Sequence, residues 1–411
     1  MLQAEQNILI VSFDALRTDV LGIYGNQRGL TPNIDRWAES AIVFDNFYTA
    51  GQATPTSFAA AFTGQYPHRS FRGWKLEETQ TLAKVMQRSG FKTFGIFNNV
   101  QLVDERNFGQ GFETYEVLQV APDPSVAEQA HAMLAEHKDG RFFGWVHFIS
   151  PHTPYVYRED AKHLYTPGYE GEYVRSSGRQ PNPESEADAK RIKELYDGEV
   201  WGVDQLFQTV INSLEQLGLA DNTLVILTAD HGEAFNDHGT YGHKVLYDEV
   251  IRIPFIMAPP QYMSQQRVSN VHLNTDILPT LATMVGAEYV PTRDGVPMQN
   301  QPDEDLARIF TAMTNSKYRA MAIRKQGMKM LIECPPEEYV EYLFDLRSDP
   351  GELNDIILDH PDSAEELFDQ LEDMIGGTVC ETIVQATKGV EIENDLDAET
   401  IEKLRSLGYI Q

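Results

Sequence analysis

The sequence has 411 residues, of which 42% are hydrophobic and 10% are aromatic. This composition supports a sizeable core and excludes both an intrinsically disordered chain and a fibrous repeat. The 33 Lys and Arg against 62 Asp and Glu give a formal net charge of −29, which disfavours nucleic acid and anionic membrane surfaces as partners.

The predicted strands are short apolar runs that alternate with helical stretches. Six runs rich in β-branched or aromatic residues lie at 7–13, 42–48, 92–97, 141–149, 223–228 and 252–257. Helical periodicity is found at 79–89, 125–137 and 185–217. This alternation predicts an α/β fold with a mainly parallel central sheet sandwiched by helices.

The pattern changes from about residue 306. It then predicts three antiparallel strands and a helix, at 318–324, 328–333, 339–346 and 362–374. We therefore predict a catalytic α/β domain over residues 1–305 and a smaller C-terminal α+β domain over 306–411. The polar segment 168–184 is typical of an insertion loop near the site, and the acidic stretch 391–399 of a solvated tail or loop.

The two cysteines, Cys334 and Cys380, are far apart and lack His or Cys neighbours at ligand spacing. This spacing argues against a disulfide framework and against a thiolate zinc site. The first residues carry no basic segment, and no apolar stretch approaches the ~20 residues that a membrane-spanning helix needs. We therefore expect a soluble, reduced, cytoplasmic protein without a membrane partner.

Polar residues cluster where the predicted strands end. Asp14 follows the first strand, and Asp230 with His231 follows the fifth. In mainly parallel sheets, ligands bind beyond the carboxyl ends of the strands. A carboxylate beside an imidazole suits a divalent cation. The alternatives are a helix N-cap for Asp14 and a solvated surface loop for Asp230 and His231.

Thr54 stands at the start of a predicted helix. The small residues at 57–62 are helical, and Gly64 and Pro67 end the helix. A helix N-terminus offers unpaired N–H groups and the positive end of the helix dipole, which stabilise an anion or alkoxide. The alternative is that Thr54 is an ordinary N-cap.

Two histidines complete the candidate constellation. His152 lies between Pro151 and Pro154, which restrict its backbone, and His243 follows His231 on the same loop system. Either imidazole is a candidate proton donor or acceptor. The alternative for each is a structural histidine with satisfied hydrogen bonds.

Ordered motifs extend over almost the whole chain. They are Asp14-Ala-Leu-Arg17-Thr-Asp19, Thr31-Pro32-Asn33-Ile34-Asp35, Thr63-Gly64-Gln65-Tyr66-Pro67, Pro151-His152-Thr153-Pro154-Tyr155, Tyr196-Asp-Gly198-Glu199, Asp230-His231-Gly232-Glu233, Leu246-Tyr247-Asp248-Glu249, Leu346-Arg-Ser-Asp349-Pro350-Gly351-Glu352 and Leu407-Gly408-Tyr409. Together they resemble the sulfatase-like branch of the alkaline phosphatase superfamily. The resemblance implies an alkaline phosphatase-like fold and an ester-hydrolysing enzyme.

Several positions depart from the family pattern. Sulfatases carry Cys or Ser followed by x-Pro-Ser-Arg and convert that Cys or Ser to formylglycine, whereas this chain has Thr54 at the nucleophile position. Threonine cannot yield the aldehyde. Other family positions also differ: Ala15 replaces an Asp, Phe58 the Arg, Asn98 and Val100 a Lys and a His, and His243 a late Lys. The resemblance therefore implies the threonine-nucleophile branch and favours a phosphoryl substrate over a sulfate ester.

The resemblance implies a metal-dependent hydrolase that cleaves phosphate, phosphonate or sulfate esters through a covalent intermediate on Thr54. It implies one divalent cation, either Mn, Mg, Ca or Zn, held by Asp14, Thr54, Asp230 and His231. A second metal, as in two-metal relatives, is the alternative. His152 or His243 would protonate the leaving oxygen. The expected partner is a small-molecule anionic ester, and the sequence does not predict an oligomeric state.

Two other classes of function stay open. A transferase would move a phosphoryl-linked group to an alcohol acceptor by way of the same Thr54. A non-catalytic binding protein that keeps the fold is suggested by Ala15, Phe58 and Val100 at positions where the family carries polar groups.

Overall fold

A computed structural model describes residues 6–119, 121–178, 181–260, 264–300, 306–313, 318–335 and 339–387. The strands are β1 Asn7–Phe13, β2 Ile42–Tyr48, β3 Phe71–Arg72, β4 Lys75–Leu76, β5 Lys92–Phe97, β6 Thr114–Val117, β7 Phe142–Phe148, β8 Thr223–Ala229, β9 Ala234–Phe235, β10 Tyr241–Gly242, β11 Phe255–Ala258, β12 Gln266–Leu273, β13 Arg308–Met313, β14 Arg319–Lys325, β15 Met328–Glu333 and β16 Val340–Asp345. The helices are α1 Pro32–Ala38, α2 Thr54–Thr63, α3 Pro67–Ser70, α4 Leu82–Arg88, α5 Asp123–His137, α6 Glu186–Gln216, α7 Asp248–Ile251, α8 Ile277–Val285, α9 Pro361–Ile375 and α10 Val379–Thr387.

An eight-stranded sheet forms the centre of the larger part, in the order β12-β2-β11-β8-β1-β7-β5-β6. Seven strands run parallel to one another, and β11 is antiparallel to both of its neighbours. The strands at the centre, β1, β7 and β8, are buried over their whole length. This burial on both faces explains why their sequences are continuous apolar runs. The predicted α/β fold with a mainly parallel sheet is confirmed.

The C-terminal part contains a second sheet in which β13, β14, β15 and β16 pair antiparallel in chain order. Helices α9 and α10 pack on this sheet, so the predicted smaller antiparallel domain is confirmed. The domain boundary after residue 305 stays a prediction. The acidic stretch 391–399 and the motif Leu407-Gly408-Tyr409 lie outside the described residues. Each helix in the described ranges is too short or too polar to cross a membrane.

Buried polar contacts join the C-terminal sheet to the larger part, and two of them involve Lys329 and Thr311. The fully buried Lys329 Nζ donates to Leu246 O at 2.7 Å and forms ion pairs with Asp248 and Glu352. In addition, the N–H of Thr311 on β13 donates to Ala50 O at 2.8 Å. A buried ammonium is costly without carboxylate partners, and Lys329 of the C-terminal sheet finds one of them, Asp248, in the larger part.

The cysteines contradict the expectation from their spacing. Cys334 and Cys380 form a disulfide across a sequence separation of 46 residues. Cys334 follows β15, and α10, which carries Cys380, packs against the neighbouring β14. The prediction of reduced, unpaired cysteines is therefore wrong, because tertiary packing and not sequence spacing decides which thiols meet.

The double substitution Cys334→Ser/Cys380→Ser is expected to lower the free energy of unfolding by about 2–4 kcal/mol, because the cross-link restricts the unfolded chain. Urea denaturation of the oxidised wild type and of the variant measures the difference. Dithiothreitol should bring the wild-type midpoint down to that of the variant. A wild-type midpoint that does not respond to the reductant would contradict the pairing.

Candidate active site

Three predicted metal ligands meet at the carboxyl edge of the central sheet. Asp14 directly follows β1, and Asp230 and His231 directly follow β8, its parallel neighbour. All three side chains are buried, and their ligand atoms lie within 4.8 Å of one another. The pairing of β1 with β8 is thus what brings these distant segments together.

The hydrogen bonding of these residues fits a cation. Asp14 Oδ1, Asp230 Oδ2 and His231 Nε2 are buried and have no hydrogen-bond partner. His231 Nε2 lies 3.5 Å from Asp14 Oδ1 and 3.6 Å from Asp230 Oδ2. Its Nδ1 is 2.8 Å from Gly232 O, which fixes the ring proton there and turns the Nε2 lone pair toward the carboxylates. Two carboxylate oxygens and one imidazole suit Mn²⁺, Mg²⁺, Ca²⁺ or Zn²⁺.

The pKa values of the two carboxyl groups move in opposite directions. Burial opposes ionisation of Asp14, but the imidazoles of His152, His147 and His231 outweigh it and hold the pKa of Asp14 well below its usual range. Burial and the charge of Asp14 raise the pKa of Asp230. A divalent cation would offset the repulsion that raises the pKa of Asp230.

Ala15 departs from the family pattern but still serves the site. It occupies the position of the second family Asp and adopts a left-handed backbone with φ of 61°. Its N–H donates to Asp230 Oδ1 at 3.2 Å, and the N–H of His231 donates to the same oxygen at 2.8 Å. The backbone therefore occupies one oxygen of Asp230 and leaves Oδ2 facing the space between the ligands.

The Thr54 hydroxyl lies beside this cluster. Thr54 is the first residue of α2 and is fully buried. Its Oγ1 is 3.4 Å from Asp14 Oδ2 and 3.4 Å from Asn99 Nδ2. The helix N-cap is Ala53, so the alternative of Thr54 as an ordinary N-cap is wrong.

The two candidate histidines stand next to the cluster. The ring centroid of His243 is 4.2 Å from that of His231 and 5.3 Å from that of His152. His152 Nδ1 lies 2.7 Å from Thr153 O, and His243 Nδ1 lies 3.4 Å from Glu233 Oε1. Burial and the charge of His231 lower the pKa of His243 to about 4. These contacts bring both candidate imidazoles next to His231, and their role as proton donors stays a prediction.

Glu233 and Tyr155 belong to the site although neither was predicted as a site residue. Glu233 is fully buried, and its Oε2 accepts a hydrogen bond from the Tyr155 hydroxyl at 2.7 Å. Its other oxygen faces His243. Burial opposes ionisation of Glu233, yet the hydrogen bond and charge of His243 keep its pKa below the usual range. Glu233 therefore orients His243, and its place in the Asp-His-Gly-Glu motif was the available signal.

The family position filled by Phe58 is apolar here. Phe58 is buried, and its ring meets the ring of His147 edge to face at a centroid distance of 4.8 Å. His147 Nε2 in turn lies 3.6 Å from Asp14 Oδ2. His147 was not among the predicted site residues, so its contact with Asp14 is a finding of the structure.

The insertion loop 168–184 lies beside the segment that carries His152. The N–H of Tyr155 donates to Ser177 Oγ at 2.9 Å, and the Thr153 hydroxyl donates to Gly178 O at 3.3 Å. The described part of the loop therefore contacts the segment that carries His152, as expected for a loop near the site; residues 179–180 lie outside the described residues.

Glu199 on α6 supports the same segment and gives a pH-dependent prediction. Its Oε1 accepts the N–H of Val156 at 2.9 Å, and burial raises its pKa from 4.5 to about 7. The pKa of Glu199 is higher in the folded protein than in the unfolded chain. The contribution of protonated Glu199 to the free energy of unfolding is therefore complete below about pH 4.5 and is lost as the pH rises through 7. At pH 8, urea denaturation should therefore give Glu199→Gln a free energy of unfolding up to about 3 kcal/mol higher than that of the wild type. Equal stability of the two proteins at pH 8 would contradict this assignment.

The fold and the site together define the alkaline phosphatase-like class of ester hydrolases, with the candidate cation ligands and a buried hydroxyl at the carboxyl edge of a mainly parallel sheet. The sulfatase family model matches residues 6–287, so the chain belongs to the sulfatase family. The predicted class, an ester hydrolase, is thereby confirmed at the level of the family.

Relatives and solved structures match over most of the chain. The ulvan-active sulfatase of Formosa agariphila is 24% identical over 98% of this chain and 81% of its own length. The N-acetylglucosamine-6-O-sulfatase of Bacteroides thetaiotaomicron is 22% identical over 89% of this chain and 86% of its own. The phosphonate monoester hydrolase of Agrobacterium radiobacter superposes with a TM-score of 0.75 at 20% identity, over 90% of this chain and 95% of that one. This similarity establishes the shared fold.

Proposed function

We propose that the protein is a metal-dependent hydrolase that cleaves phosphate or phosphonate esters, or sulfate esters, through a covalent ester on Thr54. The observation that carries this proposal is the position of Thr54 Oγ1, 3.4 Å from Asp14 Oδ2 and therefore at the edge of the candidate metal cluster. The substrate is a small anionic ester.

A divalent cation held by Asp14, Asp230 and His231, with Thr54 Oγ1 as a fourth ligand, would make the hydroxyl more acidic and offset negative charge on the ester. The remaining chemistry belongs to the side chains. The Thr54 hydroxyl gives its proton to solvent, and Oγ1 attacks the phosphorus or sulfur atom. As this bond forms, the ester bond breaks, and the imidazolium of His152 or of His243 protonates the leaving oxygen. For His243 this requires the negative charge of the bound ester, which raises the imidazole pKa above its value of about 4 in the free site.

Water then resolves the covalent ester. The imidazole left neutral by the first step accepts a proton from the attacking water. Thr54 Oγ1 departs with the bonding electron pair and takes a proton from solvent, which restores the hydroxyl and the imidazolium. Glu233 holds His243 in place through both steps, because its carboxylate lies 3.4 Å from His243 Nδ1.

The nucleophile supports phosphate or phosphonate over sulfate. Thr54 cannot be converted to formylglycine, and Phe58 takes the place of the family Arg. The relatives named above are an ulvan-active sulfatase and an N-acetylglucosamine-6-O-sulfatase, and a structure with this fold is a phosphonate monoester hydrolase. Sulfate esters therefore stay within the proposal as the second substrate class.

The Thr54 hydroxyl also keeps a transferase reaction as a second candidate, since a covalent ester can be released to an alcohol as well as to water. A panel of aryl sulfate, phosphate monoester, phosphate diester and phosphonate monoester substrates, assayed with Mn²⁺ and with EDTA, tests the proposal. We expect metal-dependent release of the aryl alcohol, fastest for a phosphorus ester. Product that appears only when an alcohol acceptor is added would favour the transferase, and fastest cleavage of the sulfate would overturn the substrate preference.

A further inference from the structure

Asn99 is a buried amide that faces the candidate nucleophile. It follows β5, and its Oδ1 accepts the N–H of Gln101 at 2.9 Å. Because a backbone N–H is only a donor, this bond fixes the amide oxygen on the side of Gln101 and turns the NH₂ group toward the site. Asn99 Nδ2 lies 2.7 Å from Asp14 Oδ2 and 3.4 Å from Thr54 Oγ1.

The residues on either side of Asn99, Asn98 and Val100, do not offer Thr54 a hydrogen-bond donor. The Asn98 amide points the other way, where its Nδ2 donates to Ala121 O at 2.8 Å and to Asp123 Oδ1 at 3.1 Å. Val100 is apolar and buried. The side chain that reaches Thr54 from this turn is therefore that of Asn99, which stands between the two positions that correspond to the family Lys and His.

We propose that Asn99 is a catalytic residue that holds Thr54 Oγ1 for attack and offsets negative charge on that oxygen in both half-reactions. The inference rests on the proposed function. The amide nitrogen lies within hydrogen-bond distance of both Asp14 Oδ2 and Thr54 Oγ1, and its two hydrogens allow it to donate to both oxygens. When the covalent ester breaks, the bonding electron pair returns to Oγ1, and a prepositioned N–H stabilises the developing charge.

The test measures the covalent step directly. The full-length protein loaded with Mn²⁺ is mixed with 4-nitrophenyl phenylphosphonate under single-turnover conditions, and the ester on Thr54 is followed by intact-protein mass spectrometry. We expect Asn99→Ala to slow formation and breakdown of this ester by about 100-fold, the effect of removing one oxyanion donor. The bound Mn²⁺, measured by elemental analysis, should stay at the wild-type level.

Two further variants sharpen this experiment. Asn99→Ser keeps an oxygen for the Gln101 N–H but is too short to reach Thr54, so it should show the same loss with the local turn preserved. Asn98→Ala removes the neighbouring amide, whose partners are Ala121 and Asp123, and should keep both rates within about threefold of the wild type.

The outcomes separate this inference from the proposed function. If wild-type protein forms no ester on Thr54, both fail. If the wild type forms it and Asn99→Ala and Asn99→Ser do so at unchanged rates, only the role of Asn99 is overturned. A slow variant that regains wild-type rates when more Mn²⁺ is added would also overturn it, because Asn99 would then serve only to hold Asp14.

Discussion

Replacement of Thr54 by alanine is expected to lower kcat for every ester that the wild-type protein cleaves by about 10⁴-fold or more, the scale seen when a nucleophile is removed. The variant keeps Asp14, Asp230 and His231 but loses the only atom assigned to attack the ester. Steady-state kinetics measure kcat, and mass spectrometry after mixing with substrate should show no covalent ester.

Two controls accompany this variant. Thr54→Ser keeps a hydroxyl at the start of α2 and should retain measurable turnover and a covalent ester. Thr63→Val removes a hydroxyl at the opposite end of the same helix, where it bonds Ala59 O, and should leave kcat near the wild-type value. Wild-type turnover by Thr54→Ala would show that another group attacks the ester and would end the proposed mechanism.

The second large effect concerns the cation. Asp230→Asn is expected to reduce the bound metal and to lower kcat by about a thousandfold, equivalent to roughly 4 kcal/mol of lost electrostatic stabilisation. The substitution removes negative charge where the unpartnered Oδ2 faces Asp14 and His231. EDTA should inactivate the wild-type protein in the same way, and added Mn²⁺ should restore it.

A buried carboxylate elsewhere provides the matched control. Asp204 on α6 accepts hydrogen bonds from the backbone N–H groups of Asn33 and Ile34 and lies outside the candidate site. Asp204→Asn should therefore keep its metal content and its kcat, whatever it does to stability. Full metal content in Asp230→Asn, measured by elemental analysis beside this control, would contradict the assigned ligand set.

Much of the fold follows from local pattern. The strands at Asn7–Phe13, Ile42–Tyr48 and Lys92–Phe97 match the predicted runs, because β-branched and aromatic residues dominate all three segments. Strand Gln266–Leu273 was not predicted, since it is an edge strand whose sequence is largely polar. The antiparallel direction of Phe255–Ala258 could not be predicted either, because hydrophobic periodicity carries no information about strand direction.

The candidate site also contains some residues that local pattern predicts and others that it does not. Asp14, Asp230 and His231 were predictable because strand ends converge on one edge of a parallel sheet. The inward turn of Asn99 was not, because adjacent residues of an irregular turn differ only in which way their side chains point. The contact of His147 with Asp14 and the link from Glu233 to His243 likewise depend on tertiary packing, which spacing along the chain does not encode.

The hydrogen bond from Thr311 to Ala50 has a consequence for protein engineering. Ala50 lies shortly before Thr54 in the chain, so the first strand of the C-terminal sheet helps to seat the segment that leads into α2. A chimera that joins residues 1–305 of this chain to the C-terminal part of a relative would replace the strand that donates this hydrogen bond to Ala50. Crossover points for such chimeras are therefore better chosen so that β13 and the segment before α2 come from the same parent.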